Sequence, residues 1–275
     1  IGTKQKPNDY RHMNLWQTIG AAIEAYSGQP FQLKTRQSVG GGCINNASTI
    51  SDGSHTFFVK TNQAESLAMF AAEAEGLNEI AASKSIRVPH VIAYGQHQAN
   101  AYLILEYIPL RSGSIQSQRL LGEQLAKMHG KTQAQFGWRR NNTIGSTPQI
   151  NTLNDNWVQF WAQHRLGFQL ELAARNGYRG ELQHKGETCL QNLPQWLAGY
   201  QPPASLLHGD LWSGNIAFDT AAHPVLYDPA VYFGDREADL AMTELFGGLS
   251  QNFYAAYREH WPLDDGYRWR KTLYN

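Results

Sequence analysis

His208-Gly209-Asp210-Leu211-Trp212-Ser213-Gly214-Asn215, followed by Val225-Leu226-Tyr227-Asp228-Pro229, holds the residue types that phosphate chemistry requires. A carboxylate such as Asp210 can take the proton of an attacking hydroxyl. An amide oxygen on Asn215 and a second carboxylate on Asp228 suit a small hard cation held against phosphate oxygens. Magnesium accepts few protein ligands of this kind and keeps room for the phosphates. Asp210 and Asn215 alone could equally make an ordinary turn between strands. Asp228, closing an apolar strand shortly afterwards, is what favours chemistry over a turn. The reaction implied is phosphoryl transfer to an alcohol, with Asp210 as base and Asn215 and Asp228 as metal ligands. His208 is expected to pack and hydrogen-bond the loop, a structural task.

The spacing His-x-Asp-x-x-x-x-Asn matches the catalytic loop of kinases. Such a loop needs a nucleotide cradle from elsewhere in the chain, with ATP and Mg²⁺ as the expected ligands. Phe57-Phe58-Val59-Lys60 ends an apolar strand on a lysine suited to anchoring phosphates. On the following helix, Leu67, Phe70, Ala74, Leu77 and Ala81 share one face. Glu73 lies roughly 75° from the middle of that face at 100° per residue, placed to reach inward to Lys60. Glu75 falls on the far side and reads as solvated. Gly40-Gly41-Gly42 either lets backbone amides approach phosphates, having no Cβ to obstruct them, or forms a flexible turn. Its pattern departs from Gly-x-Gly-x-x-Gly. Glu106, Tyr107 and Ile108 are expected as the connection whose backbone pairs with adenine. Lys60, Asp210, Asn215 and Asp228 must then meet around one nucleotide in a cleft between two lobes.

The elements that would position these residues follow from periodicity. Asn14 to Tyr26 and Ala64 to Ala82 read as helices. Asp52-Gly53 between Ala47–Ile50 and Phe57–Val59 is a hairpin signal, and Val91–Tyr94 with Tyr102–Tyr107 forms a second strand pair. From Arg119 onward the patterns are mainly helical: Leu120 to Met128, Trp157 to Arg175, Leu182 to Tyr200, and again from Glu237 and Phe253. Strands at Ser205–Leu207, Ile216–Phe218 and Val225–Tyr227 bracket the loop at 208–215. The fold class is α+β, a protein-kinase-like two-lobed fold. A small N-terminal ATP-binding lobe (1–107) has an antiparallel sheet and one key helix. A larger, mainly helical catalytic and substrate lobe spans 108–275.

Lys+Arg and Asp+Glu each number 23, so the chain lacks the basic excess of a nucleic-acid binder. No apolar run approaches the length of a membrane span, and no export signal opens the sequence. Two cysteines, Cys43 and Cys189, exclude a disulfide framework or a four-cysteine zinc site. These features point to a cytoplasmic protein acting on a small molecule or a modified side chain. Ile1 at the start and a helical pattern running into Leu273-Tyr274-Asn275 suggest that the chain is trimmed at both ends.

Three blocks closely resemble the fructosamine/ketosamine 3-kinase family: His208 to Asn215, Asp228-Pro229-Ala230, and Tyr232-Phe-Gly-Asp-Arg-Glu-Ala-Asp-Leu-Ala-Met to Gly248. Gly40 to Asn45, Phe58-Val-Lys60, Met69 to Leu77 and Gln169 to Ala173 resemble it too. The resemblance implies ATP-dependent phosphorylation of the 3-hydroxyl of ketosamines, fructosamine or ribulosamine adducts of amines or proteins. The phosphorylated adduct is unstable and releases the amine, so the family repairs glycation. The resemblance makes Asp210 the base, Asn215 and Asp228 the magnesium ligands, and Lys60 with Glu73 the phosphate-anchoring pair. Asp239 is similar to the helix aspartate that supports the catalytic loop through its backbone. Trp212 is either a sugar-facing aromatic or a core tryptophan. Cys43 resembles a glycine-rich-loop cysteine of part of the family, implying a redox-dependent homodimer; a small buried apolar residue is the other reading. The alternatives are another kinase of this fold, acting on an aminoglycoside, choline or a homoserine-like alcohol, or an inactive kinase-fold binding module.

Overall fold

Asn14 starts the first helix because its side chain can accept an N–H that a helix leaves unpaired. In α1 (Leu15–Ser27) the pairing is reciprocal: Asn14 Oδ1 accepts from Gln17 N at 3.0 Å, and Gln17 Oε1 accepts from Asn14 N at 2.8 Å. The computed structural model describes residues 13–40 and 44–275. After α1 come β1 (Thr35–Val39), β2 (Asn46–Ser51), β3 (Thr56–Gln63), α2 (Leu67–Ala82), β4 (Val91–His97) and β5 (Asn100–Glu106). The strands form one antiparallel sheet in the order β1-β2-β3-β5-β4. In the β2–β3 turn Asp52 Oδ1 accepts from the N–H groups of Ser54 and His55, and Gly53 takes the positive φ of +98°. β1 lies in the β-prone stretch before Gly40, which the sequence does not define as a strand. All five of its residues are exposed, so it has no apolar alternation to read. Ile19 and Ile23 of α1 pack against Phe31, Ile50, Val59, Tyr102 and Ile104, the core of this region.

The chain divides into two compact units. One runs to Ala74 and resumes over Pro89–Ile108; the other comprises Glu75–Val88 with Pro109–Asn275. The division passes through α2 as well as falling after Ile108. The second half of α2 therefore packs with the later chain: a Cβ on Gly76 would stand 3.1 Å from Val231.

The second unit continues with α3 (Ile115–His129), β6 (Thr132–Gln133), the hairpin β7 (Asn142–Ile144) and β8 (Thr147–Gln149), and α4 (Trp157–Trp161). A π-turn (Ala162–Leu166), α5 (Gly167–Arg175), α6 (Glu181–Trp196), β9 (Ala204–Leu207), β10 (Ile216–Phe218) and β11 (Pro224–Leu226) follow. β12 (Tyr232–Gly234), α7 (Arg236–Leu245), α8 (Gln251–His260) and α9 (Tyr267–Tyr274) complete it. β9 is wholly buried and lies between β12 and β6, while β10 and β11 pair with each other. Residues 208–215 thus pass from one sheet to another, which the sequence did not reveal because β12 is only three residues long. The single helix expected over Trp157–Arg175 is interrupted. Gly167 N donates to the carbonyl of Ala162, five residues back, and a Cβ on Gly167 would sit 2.4 Å from that oxygen. Among the described residues no helix is long and apolar enough to cross a membrane.

α3 and α8 approach closely at Gly122, where a Cβ would come within 2.4 Å of the Phe253 carbonyl oxygen. Backbone cannot move aside as a flexible side chain can. Gly122→Ala is expected to destabilise the protein by about 1–3 kcal/mol, the usual cost of overpacking a filled interior. Urea titration would show a lower midpoint at unchanged slope; an unchanged midpoint contradicts the expectation.

Candidate active site

β9 delivers its chain into a turn that only glycine can make. Gly209 has φ +82°, and a Cβ there would lie 2.0 Å from the Ala230 carbonyl oxygen. Its N–H and that of His208 both donate to Asp239 on α7, at 2.9 Å to Oδ1 and 2.7 Å to Oδ2. Asp210 N donates to His208 Nδ1 at 3.3 Å, so the ring proton sits on Nε2, which donates to the Tyr227 carbonyl at 3.0 Å. Ala230 N donates to His208 O at 2.8 Å and Tyr227 N to Asn215 O at 3.2 Å. Residues 208–215 and 227–230 are therefore stitched together by backbone and imidazole. His208 is buried within this stitching.

Asn215 Nδ2 donates to the Asp210 carbonyl at 2.8 Å and to Asp210 Oδ2 at 3.1 Å. Both bonds use the nitrogen, so Oδ1 is the Asn215 atom suited to a cation. Asp228, exposed at the end of β11, has φ +56°, a left-handed conformation uncommon outside glycine. Burial pushes the Asp210 carboxyl above its ordinary range. Asp228 and Asp239 push the same way, against the pull of His208 and the Asn215 hydrogen bond. Crowded negative charge with a hard amide oxygen beside it fits a divalent cation such as Mg²⁺, which Asn215 and Asp228 would hold.

In the first unit, Val59 on β3 faces the α1 core, so Lys60, one residue on, points to the other face of the sheet. There Lys60 Nζ lies 2.6 Å from Glu73 Oε1 on α2, with both side chains about nine-tenths buried. The inward placement of Glu73 is the one its helical phase requires. Glu75 departs from expectation. It is not simply solvated but accepts from Arg139 Nε at 3.1 Å and from Arg140, both within the second unit. These arginines follow β6 in an irregular stretch with no periodicity to foretell them. Glu106 ends β5, its N–H donating to the His90 carbonyl at 2.8 Å and its Oε2 accepting from His90 N at 3.1 Å. Tyr107 is exposed and Ile108 buried. Among the described residues, a Cβ on Gly40 would meet nothing within 4 Å. Gly41, Gly42 and Cys43 lie outside the described residues.

Trp212 is not a core residue. It is 38% exposed, its indole lies over Gly214, and it meets the exposed Phe246 edge-on at 5.6 Å. The sequence reading missed His129, which touches Asp239. Its signal was available: a polar residue four positions after Leu125, on the buried stripe of α3.

The family model for fructosamine kinase matches residues 15–275. The chain belongs to this family. A candidate ketoamine kinase of Synechocystis is 47% identical over 94% of this chain and 88% of its own. The chloroplastic protein-ribulosamine 3-kinase of Arabidopsis thaliana is 43% identical over 90% of this chain and 76% of its own. The crystal structure of a candidate fructosamine-3-kinase from Haemophilus somnus superposes with a TM-score of 0.89 at 30% identity, covering 97% of this chain and 89% of that one. The fold is also that of the aminoglycoside phosphotransferase APH(4)-Ia, with a TM-score of 0.62 at 14% identity over 93% and 87% of the two chains. It is the protein-kinase-like α+β fold.

Because the folded protein holds the Asp210 carboxyl above its ordinary value of 3.8, its ionisation costs stability at neutral pH. That cost appears as pH rises through the folded pKa and is absent below the unfolded value. Asp210→Asn should therefore raise Tm at pH 7, and the gain should vanish in calorimetry below about pH 4. A lower Tm at pH 7 contradicts this. Gly209→Ala should instead lower Tm and remove turnover, since neither its backbone nor its space admits a Cβ.

Proposed function

We propose that the protein is a ketosamine 3-kinase, transferring the terminal phosphoryl group of Mg-ATP to the 3-hydroxyl of fructosamine or ribulosamine adducts of amines or proteins. The observation that carries this reading is the Asp210–Asn215 pair, stitched through Tyr227 and Ala230 to the segment that contains Asp228, in a chain matched along residues 15–275 by the fructosamine kinase family. Asp210 accepts the proton of the sugar hydroxyl, its raised pKa making it a better acceptor than an exposed aspartate. Asn215 and Asp228 hold Mg²⁺, which neutralises charge on the phosphates when bound. Lys60, oriented by Glu73, supports the phosphates. Gly40, Glu106, Tyr107 and Ile108 are the described residues assigned to the nucleotide. Trp212 offers an exposed aromatic face to the sugar C–H groups. The phosphorylated adduct decays and releases the amine, so the activity removes glycation.

Nothing favours an aminoglycoside as acceptor. Such a polycation calls for a free acidic groove, and Glu237, Asp239 and Glu244 are each engaged by protein groups.

ADP release with Mg-ATP is the test, measured against fructosyl- and ribulosyl-amines, an aminoglycoside and choline. Turnover with the ketosamines alone is expected, and turnover only with the aminoglycoside or choline would sink the reading. Asp210→Asn should lower kcat about 10²- to 10⁴-fold while nucleotide binding persists. Lys60→Ala should cost about 10²- to 10³-fold through lost electrostatic stabilisation of the transferred group. Near-parental kcat in the Asp210 variant removes its assignment as base.

A further inference from the structure

His129 ends α3 with no exposed surface, the one ring in that helix set among charged and hydroxyl groups. Its Nε2 lies 3.2 Å from Asp239 Oδ2 and its Nδ1 2.7 Å from the Tyr257 hydroxyl on α8. Asp239 already accepts from the backbone N–H groups of His208 and Gly209, one on each carboxylate oxygen. A carboxylate that only accepts requires a donor from His129, which places a proton on Nε2. Burial, with Arg236 and His208 nearby, holds the imidazole pKa below its ordinary value, and Asp239 opposes them. The buried Tyr257 hydroxyl meets Arg236, which can only donate, and His129 Nδ1, so Nδ1 is the atom left to accept its proton. The Tyr257 oxygen in turn accepts from Arg236 Nη1 at 3.2 Å. Arg236 is itself fixed by the carbonyls of Trp261 and Pro262, at 3.0 Å and 2.6 Å, and lies over the Trp261 ring. Every bond thus has one direction: Arg236 to Tyr257, Tyr257 to His129, His129 to Asp239.

We propose that His129 is a positioning residue for the reaction, locked by Tyr257 and Arg236 in the tautomer that donates to Asp239, and that it thereby fixes the carboxylate on which the turn into Asp210 hangs. The proposal rests on Asp210 being the base. Without the His129 donor the Asp239 carboxylate is free to rotate about its last bond and to offer its oxygens unevenly to His208 and Gly209. Asp210 follows Gly209 directly, so a small rotation of that turn moves the base relative to the hydroxyl it must deprotonate. Misplacement of this kind lowers kcat rather than nucleotide affinity.

The test compares His129→Gln, His129→Asn, Tyr257→Phe and Asp210→Asn with the parent chain. It measures kcat, KM for Mg-ATP with a fructosyl-amine substrate, and Tm. A glutamine amide can occupy the place of Nε2 and donate to Asp239, whereas an asparagine amide sits near Nδ1 and cannot. His129→Asn should lose about 10- to 100-fold in kcat, the worth of one hydrogen bond to a charged group, with KM for ATP unchanged. His129→Gln should recover most of that loss. Equal kcat in the Gln and Asn variants, with only Tm reduced, would mark a purely structural histidine and overturn the proposal. Tyr257→Phe deletes one hydroxyl and leaves the ring packing; a kcat drop of about 3- to 10-fold is expected from a lost neutral hydrogen bond. Parental kcat in that variant overturns the proposal even where neither His129 variant folds. Loss of turnover in Asp210→Asn beside intact His129 and Tyr257 variants refutes the positioning role alone. Parental turnover in Asp210→Asn refutes the assignment of the base.

Discussion

Two consecutive backbone N–H groups, those of His208 and Gly209, leave β9 with no strand to receive them, and a buried N–H without an acceptor is costly. Asp239 on α7 accepts both, one on each carboxylate oxygen. Much of the second unit's polar architecture is arranged around that fact. The double bond fixes the left-handed turn at Gly209 and so the direction in which Asp210 emerges. Asn215 then takes its orientation from Asp210, and the 227–230 segment takes its place from the backbone bonds to His208 and Asn215. A chain of hydrogen bonds, each dictating the next, converts one helix carboxylate into the relative placement of Asp210, Asn215 and Asp228. Apolar packing could not do this, because it does not discriminate between neighbouring backbone directions.

Legibility in the sequence followed the same physics. Segments with one buried face and one wet face were readable, as for α1, α2 and α3, and the Asp52-Gly53 turn announced its hairpin. Short or uniformly exposed strands were not, and β1 and β12 carry no period long enough to detect. The pairing partners of β9 were hidden for that reason. Lys60 and Glu73 could be matched because strand alternation and helical phase each fix a direction. Glu75 was misread because its arginine partners come from an irregular stretch distant in sequence. His129 was overlooked although its position on an apolar stripe marked it. Composition alone gives no warning that a buried polar group has two partners waiting for it.

The acidic residues of α7 show how one short helix distributes charge. Asp235 caps its start and accepts from Tyr200 and Tyr274, with burial and the nearby Glu237 pushing its carboxyl pKa up. Glu237 pairs with the buried Arg270 through two bonds, and Glu244 takes Lys271 and Tyr267. Asp239, two residues beyond Glu237, alone faces the loop. Read as a string these acids look like a negatively charged patch; in space each is spoken for. α9 supplies Arg270, Lys271 and Tyr274, so the last helix described neutralises the one that carries the loop's support.

The π-turn at Ala162–Leu166 fits five residues into a span of helix that would ordinarily take fewer. It acts as a phase shifter: α4 presents Trp157, Phe160 and Trp161 to the aromatic cluster, and α5 presents Leu170 to α6, where its methyls touch the space that Gly186 leaves open. Winding the same five residues into a regular spiral would swing everything after them by about one residue's worth of turn, roughly 100° around the axis. Leu170 would then leave its socket, and the Arg165 guanidinium would leave the carbonyl of Ile150 and the ring of Tyr232. Here the width of a single helical turn, more than the identity of its side chains, decides which face α5 turns toward α6.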